Sequence, residues 1–147
     1  MLTASRLLVA VSVRSLAAAP QRVTLPQFRL LVLLGDGETK LVTLAGHLAV
    51  NPSTALRMAG RLAGRGFVSR RVNPDSRREV LLRLTAAGQQ IVDEVAARRR
   101  AEIAAIITRM PVRHRAGLVE ALGAFAAAGG EPPAQEHDQY LVPLGWA

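Results

Sequence analysis

Residues 40–85 read KLVTLAGHLAVNPSTALRMAGRLAGRGFVSRRVNPDSRREVLLRLT, and the succession of patterns in this stretch decides the fold. Leu41, Leu44, Ala45 and Leu48 recur at the spacing of one helical face, which predicts a helix between Leu41 and Ala49. Thr39 and Thr43 are both candidates for its N-cap. Asn51 is a capping residue and Pro52 suits a first helical position, so a second helix starts there. Ala55, Met58, Ala59 and Leu62 form its inward stripe, and Gly66 closes it. Beyond Gly66 the period falls to two. Val68, Arg70 and Val72 alternate with Phe67, Ser69 and Arg71, and Val80, Leu82 and Leu84 share a face of a return strand. The turn is Asn73-Pro74-Asp75-Ser76, and the hairpin tip carries Arg77 and Arg78.

The charge is concentrated in the same place. Residues 40–85 hold nine Lys/Arg and two acids, Asp75 and Glu79, so they carry +7 of the chain's formal +8. Outside this stretch ten basic residues face nine acidic ones. A basic segment this dense is the electrostatic footprint of a polyanion. The order helix, turn, helix points to duplex DNA.

Working outward, Met1 to Pro20 has a basic Arg6, an apolar run from Leu7 to Val11 and an Ala-rich end, loosely like an export signal. Ser12 and Arg14 interrupt the run, and Leu7, Leu8, Val11 and Ala18 can share a face. An amphipathic helix from about Thr3 to Ala19, stopped at Pro20, is the reading that follows. A helix from Leu25-Pro26 buries Phe28, Leu31, Leu34 and Val32, and ends at Gly35-Asp36-Gly37 on a left-handed glycine cap. Thr85 caps a long helix from Ala86 to about Arg109, broken at Met110-Pro111, with Ile91, Val92, Val95, Ile103, Ile106 and Ile107 as its apolar stripe. Arg98, Arg99 and Arg100 interrupt that stripe as a solvated face pairing with Asp93, Glu94 and Glu102. A last helix, Val112 to about Ala128, offers Leu118, Val119, Leu122 and Phe125. Gly129-Gly130 and Pro132-Pro133 open a tail containing Tyr140, Leu141, Leu144 and Trp146.

Composition narrows the function classes. The chain has 147 residues, half of them hydrophobic and a fifth charged, which fits one folded domain rather than a disordered chain. Cysteine is absent, which removes disulfides, zinc–thiolate sites and thiol redox sensing and suits a reducing cytoplasm. No stretch reaches the roughly 20 apolar residues of a membrane span. His47, His114 and His137 lack metal-ligand spacing, so no metal site or cofactor is expected. A glycine-rich phosphate loop and a Ser/His/acid pattern are also missing, and the expectation is a protein that is not an enzyme.

Five short segments then carry a resemblance. They are Leu44-Ala45 through Val50, Asn51-Pro52-Ser53-Thr54, Gly66-Phe67-Val68, Asn73-Pro74-Asp75-Ser76-Arg77-Arg78, and Leu84-Thr85-Ala86-Ala87-Gly88. Across Leu25 to Gly88 the chain resembles the MarR family of bacterial winged helix-turn-helix regulators. The resemblance implies a mainly α fold with a small β-hairpin wing. Residues 25–85 would be the winged helix-turn-helix DNA-binding lobe. Residues 1–24 and 86–128 would be a helical dimerisation region built from both termini, and 129–147 a C-terminal tail. It further implies a cytoplasmic homodimer that acts as a ligand-responsive repressor on a near-palindromic operator. A small aromatic ligand would lie between dimer helices and DNA-binding lobe, in a pocket whose residues the sequence does not name.

The candidate DNA-binding residues are Pro52, Ser53, Thr54, Leu56, Arg57 and Arg61 on the second helix and Asp75, Arg77 and Arg78 on the wing. With the stripe from Ala55 to Leu62 turned inward, the helix residues face solvent or DNA. Ser53 and Thr54 sit where free N–H groups and the helix dipole favour phosphate. Arg57 can pair with the two acceptors of a guanine edge, and Arg61 is one turn further on, at phosphate. Leu56 replaces a polar residue common in the family. It either touches a thymine methyl or belongs to the core. By the resemblance Arg77 enters the minor groove, where narrow A·T tracts attract arginine. Asp75 either fixes the turn or orients an arginine. The rival reading is a winged-helix module that binds protein or RNA. Single-strand readers use aromatic platforms, and the basic stretch offers only Phe67, expected to be buried.

Overall fold

A computed structural model describes residues 2–19 and 22–130. It contains six α-helices and three strands in the order α1 (Leu2–Ala17), α2 (Leu25–Leu34), β1 (Thr39–Lys40), α3 (Leu41–His47), α4 (Pro52–Gly64), β2 (Val68–Asn73), β3 (Ser76–Leu84), α5 (Ala86–Thr108) and α6 (Arg115–Ala128), with a 3-10 turn at Val112–His114 before α6. The fold is mainly helical with a small antiparallel sheet, as the sequence predicts. The first helix ends at Ala17, two residues before the expected Ala19; Pro20 itself and the tail beyond 130 lie outside the described residues. The chain divides into two units, Met1–Ala104 and Ala105–Ala147.

The first unit has one core. Leu30, Leu31, Leu34, Leu44, Ala55, Ala59, Leu62, Phe67, Leu82, Ile91 and Val95 bury together in it. The helix-turn-helix, the sheet and the start of α5 therefore share a single hydrophobic seam. Two readings of the helical faces need correction. In α2, Leu30 is fully buried and Val32 is 44% exposed. The stripe centres on Leu30 and Leu34, four residues apart, which turns Val32 to the rim. In α1, Val11, Ser15 and Leu16 are buried, whereas Leu7 and Leu8 are 44% and 43% exposed and Ala18 is exposed. The contact is made one turn later than the apolar run suggested.

Helix ends follow local chemistry. Thr24 and Gln27 make a reciprocal capping box on α2: Thr24 N–H donates to Gln27 Oε1 at 2.9 Å, and Gln27 N–H to Thr24 Oγ1 at 3.4 Å. Within Gly35-Asp36-Gly37, Gly35 is right-handed (φ −61°) and the positive φ that glycine permits falls at Gly37 (φ 124°). The N-cap of α3 is Lys40, with no side-chain cap bond, in place of either threonine. Lys40 is committed to β1, a two-residue strand too short to leave a periodic signal. That strand pairs Thr39 with Leu82 and Lys40 with Leu81, so the wing is a three-stranded sheet of order β1-β3-β2 rather than a lone hairpin.

α5 begins on a knot of hydrogen bonds at Thr85. Its N–H donates to Phe67 O at 3.1 Å. Its hydroxyl donates to Gly66 O at 2.6 Å and accepts from Gly88 N–H at 3.1 Å. Farther along, Arg98 donates to Ala18 O and Glu102 accepts from Arg14. Asp93 is held by Gln89 and Glu94 by Gln90. Arg98 and Glu102 thus tie α5 to α1 and the turn that follows it, in place of the local pairing expected of these two residues.

In the second unit α6 buries none of its residues, and Phe125 is 63% exposed. Arg115 caps the end of α5 by donating to Met110 O and Thr108 O. Among the described residues no helix is long and apolar enough to cross a membrane.

Candidate nucleic-acid interface

α4 projects its outer face from a turn that holds one unusual residue. α3 stops at His47, and Ala49 then takes a left-handed φ of 53°. This reversal brings Asn51 into capping position. Asn51 Oδ1 accepts the Thr54 N–H at 2.8 Å, and Asn51 O accepts those of Thr54 and Ala55. Pro52 has no N–H, so Ser53 keeps the uncommitted donor of the first turn. The phosphate-facing capacity of this terminus is therefore narrower than a bare helix end suggests.

Ala55, Ala59 and Leu62 are buried and Met58 partly so, as the stripe required. Ser53, Arg57 and Arg61 are exposed and Thr54 is partly so. Arg57 Nη2 leans back to Thr54 Oγ1 at 3.4 Å. Leu56 is 39% exposed, which removes it from the core and leaves it on the outer face. Arg65, at the helix end, donates to Arg22 O and lies 4.8 Å over the Phe67 ring.

The wing is a tight hairpin with a slipped tip. Val72 pairs with Val80 but Asn73 pairs with Ser76, which leaves Arg77, Arg78 and Glu79 outside the regular ladder. Asn73 closes the turn: its Oδ1 accepts the Asp75 N–H at 3.1 Å. Asp75 contributes that backbone group, and its carboxylate holds no hydrogen bond or ion pair among the described residues. Arg77 and Arg78 are exposed.

Two carboxylates absent from the candidate set cross the outer face of the sheet. Glu38 takes Arg71 in a two-pronged pair, Nη2–Oε1 2.6 Å and Nε–Oε2 2.8 Å. Glu79 accepts Lys40 Nζ at 2.9 Å and Asn73 Nδ2 at 2.6 Å. Of the nine basic residues between 40 and 85, Lys40 and Arg71 are thus paired with acids, and Arg65 is occupied by Arg22 O and Phe67. Arg57, Arg61, Arg70, Arg77, Arg78 and Arg83 hold no ion pair among the described residues, and all six are exposed. The sequence counted the charge correctly but not how much of it is available. Glu38 was legible only as an acid three residues before a predicted helix.

The bond to Arg71 holds the Glu38 carboxyl below the usual 4.5, and bonds to Lys40 and then Asn73 do the same for Glu79. A carboxyl lowered on folding stabilises the fold above its unfolded value and loses that contribution as pH falls through the folded one. Both pairs lie at the surface, so the effect is small and weakened by salt. Wild-type protein should melt above Glu79→Gln at neutral pH. The gap should close as pH drops below 4.5, read from melting curves at matched ionic strength. A gap independent of pH would contradict the ion-pair assignment.

Comparison with known proteins gives concordant findings. A family model described as MarR family matches residues 23–80. The crystal structure of RV1404 from Mycobacterium tuberculosis is 50% identical, with 91% of this chain and 92% of that chain covered and a TM-score of 0.84. That of the YusO protein from Bacillus subtilis is 27% identical, with 86% and 92% covered and a TM-score of 0.71. Among curated proteins, an uncharacterized HTH-type transcriptional regulator, YhbI of Bacillus subtilis strain 168, is 32% identical over 78 residues. That match spans 52% of this chain and about half the length of YhbI (51%).

Proposed function

The chain belongs to the MarR family of transcriptional regulators, and on that premise we propose that it is a homodimeric, sequence-specific binder of double-stranded DNA, working in the cytoplasm as a repressor that a small aromatic ligand releases. The observation that carries the DNA reading is a set of exposed cations on two elements that hold no ion pair among the described residues. α4 presents Arg57 and Arg61 outward from a capped, proline-started first turn, and the slipped wing tip presents Arg77 and Arg78. In this reading Pro52, Ser53, Thr54, Leu56, Arg57 and Arg61 approach the major groove, with Ser53 N–H and Arg61 on phosphates and Arg57 on a base edge. Arg77 enters the adjoining minor groove, with Asp75 shaping the turn beneath it. No step of this function calls for catalysis or a metal.

The rival, an RNA-binding or protein-binding winged helix, has less support. A single-strand platform needs exposed rings. The basic segment has one phenylalanine and no tyrosine or tryptophan, and that residue, Phe67, is buried. Chromatin fragments retained by the purified full-length protein from its own genome would test the proposal. They should contain a near-palindrome with half-site centres about 10 bp, or a small multiple, apart, as two-fold symmetry requires. Enrichment of transcripts instead of duplex would overturn it.

Dimerisation is proposed for residues 1–24 and 86–128, leaving 25–85 as the DNA-binding lobe. α6 exposes Val119, Leu122 and Phe125 at steps of three residues, an apolar face that water does not favour. Leu122→Glu combined with Phe125→Asp should turn the dimer into a monomer in sedimentation velocity, without loss of helical circular dichroism. An unchanged dimer would show that this face is not the interface.

A further inference from the structure

DNA-binding surfaces are usually cleared of acids, because each carboxylate repels phosphate. This chain keeps Glu38 and Glu79 on the face of the sheet, and both are spent on internal bonds. Glu38 precedes β1 and grips Arg71 on β2, so its reach spans the intervening β3. Glu79, at the slipped tip of β3, grips Lys40 on β1 and Asn73 on β2. Between them the two carboxylates tie all three strands.

The ties end on significant residues. Lys40 is the N-cap of α3, the first helix of the helix-turn-helix. Asn73 is the residue whose side chain closes the wing turn. A chain of direct bonds therefore runs from the start of α3 through Lys40, Glu79 and Asn73 to Asp75, two residues before Arg77. The ladder alone does not fix the tip, because its register slips between Val72 and Asn73. Side-chain bonds supply the orientation the ladder omits. The charges of Lys40 and Arg71 are compensated by these carboxylates, which leaves DNA contact to the uncommitted arginines.

Resting on the duplex-DNA reading above, we propose that Glu38 and Glu79 are positioning residues that set the angle of the wing against the helix-turn-helix, so that Arg77 and Arg78 meet the groove beside the one entered by α4. The alternative role for these acids is screening, in which they merely weaken the cations beside them. The two roles predict opposite signs. Removing a screening carboxylate strengthens binding to every duplex. Removing a positioning carboxylate lowers the preference for the correct one.

The test uses the full chain and two probes: a duplex enriched by the wild-type protein from a random-sequence pool, and a scrambled duplex of equal length and composition. Glu79→Gln and Glu38→Gln should each lower the ratio of selected to scrambled affinity by about tenfold, the share of one well-placed arginine contact. Binding to scrambled duplex should hold or rise. Exchanging the pair, Glu38→Arg with Arg71→Glu, keeps the net charge and the bond and should restore most of the ratio. A ratio that stays level or rises in the single variants would overturn the proposal, as would a swapped pair that discriminates no better than Glu38→Gln. Wild-type protein that selects no duplex at all would instead strike down the DNA reading, a failure visible before any variant is made.

Discussion

Gly88→Ala should destabilise the protein by about 3 kcal/mol or more, the upper range for forcing atoms into a filled site. A Cβ on Gly88 would stand 2.1 Å from Phe67 O and 2.7 Å from Leu84 Cδ1. The leucine methyl can swing away. The carbonyl oxygen cannot, because it belongs to the backbone and already accepts the Thr85 N–H at 3.1 Å. To admit the methyl, the first turn of α5 must lift from the sheet. That breaks the Thr85 bonds to Gly66 and Phe67 and loosens Ile91, which is buried just beyond. Alanine's better helix propensity returns about 1 kcal/mol at most, so the clash dominates. For a chain of this size the melting temperature should fall by about 10 °C. Gly60→Ala is the control. Gly60 also lies within a helix but has nothing within 4 Å of the added carbon, so it should be neutral or stabilising by up to about 1 kcal/mol. Equal melting shifts for the two variants would mean that the close approach of α5 to the sheet is misplaced.

The start of α5 at Thr85-Ala86-Ala87 was legible because a cap residue and two helix formers each have a local physical signature; Gly88 stood out only through the family resemblance, since its need for glycine is set by Phe67. Asn51-Pro52 was legible for the same reason. Features set by distant neighbours were not. β1 exists because β3 offers Thr39 and Lys40 a partner. The buried face of α2 follows from what packs on Leu30. Ala49 gives no warning of its left-handed turn, since alanine is neither a turn former nor free of the steric cost. At the interface the arginines could be counted, and the inward stripe of α4 predicted which of them face out. The pairing of Lys40 and Arg71 with Glu79 and Glu38 could not be read, because it joins residues 33 and 39 apart in the chain.

The second large effect concerns the arginines that remain uncommitted. Arg57→Ala should lower affinity for the selected duplex by roughly 5- to 150-fold and relax preference at one base position, the signature of a lost two-pronged contact. Arg61→Ala should weaken all sequences alike and flatten the salt dependence by about one phosphate's worth. Arg77→Ala should act mainly on duplexes with narrow A·T-rich flanks, where negative potential concentrates in the minor groove. The three side chains are exposed and hold no ion pair among the described residues, so circular dichroism melts should coincide with wild type. If Arg77→Ala left affinity untouched across all flanks while Arg57→Ala abolished it, the wing would not be a minor-groove reader.

The central claim is that α4 and the wing together recognise duplex DNA, and one titration reaches it directly. Full-length wild-type protein is titrated with its selected duplex and with the scrambled duplex across a series of salt concentrations. The account predicts a clear preference for the selected sequence. It also predicts a log–log salt slope between about −5 and −10, set by the phosphates that the exposed arginines of two protomers neutralise. Equal affinity for both duplexes, or binding that salt leaves unchanged, would contradict it.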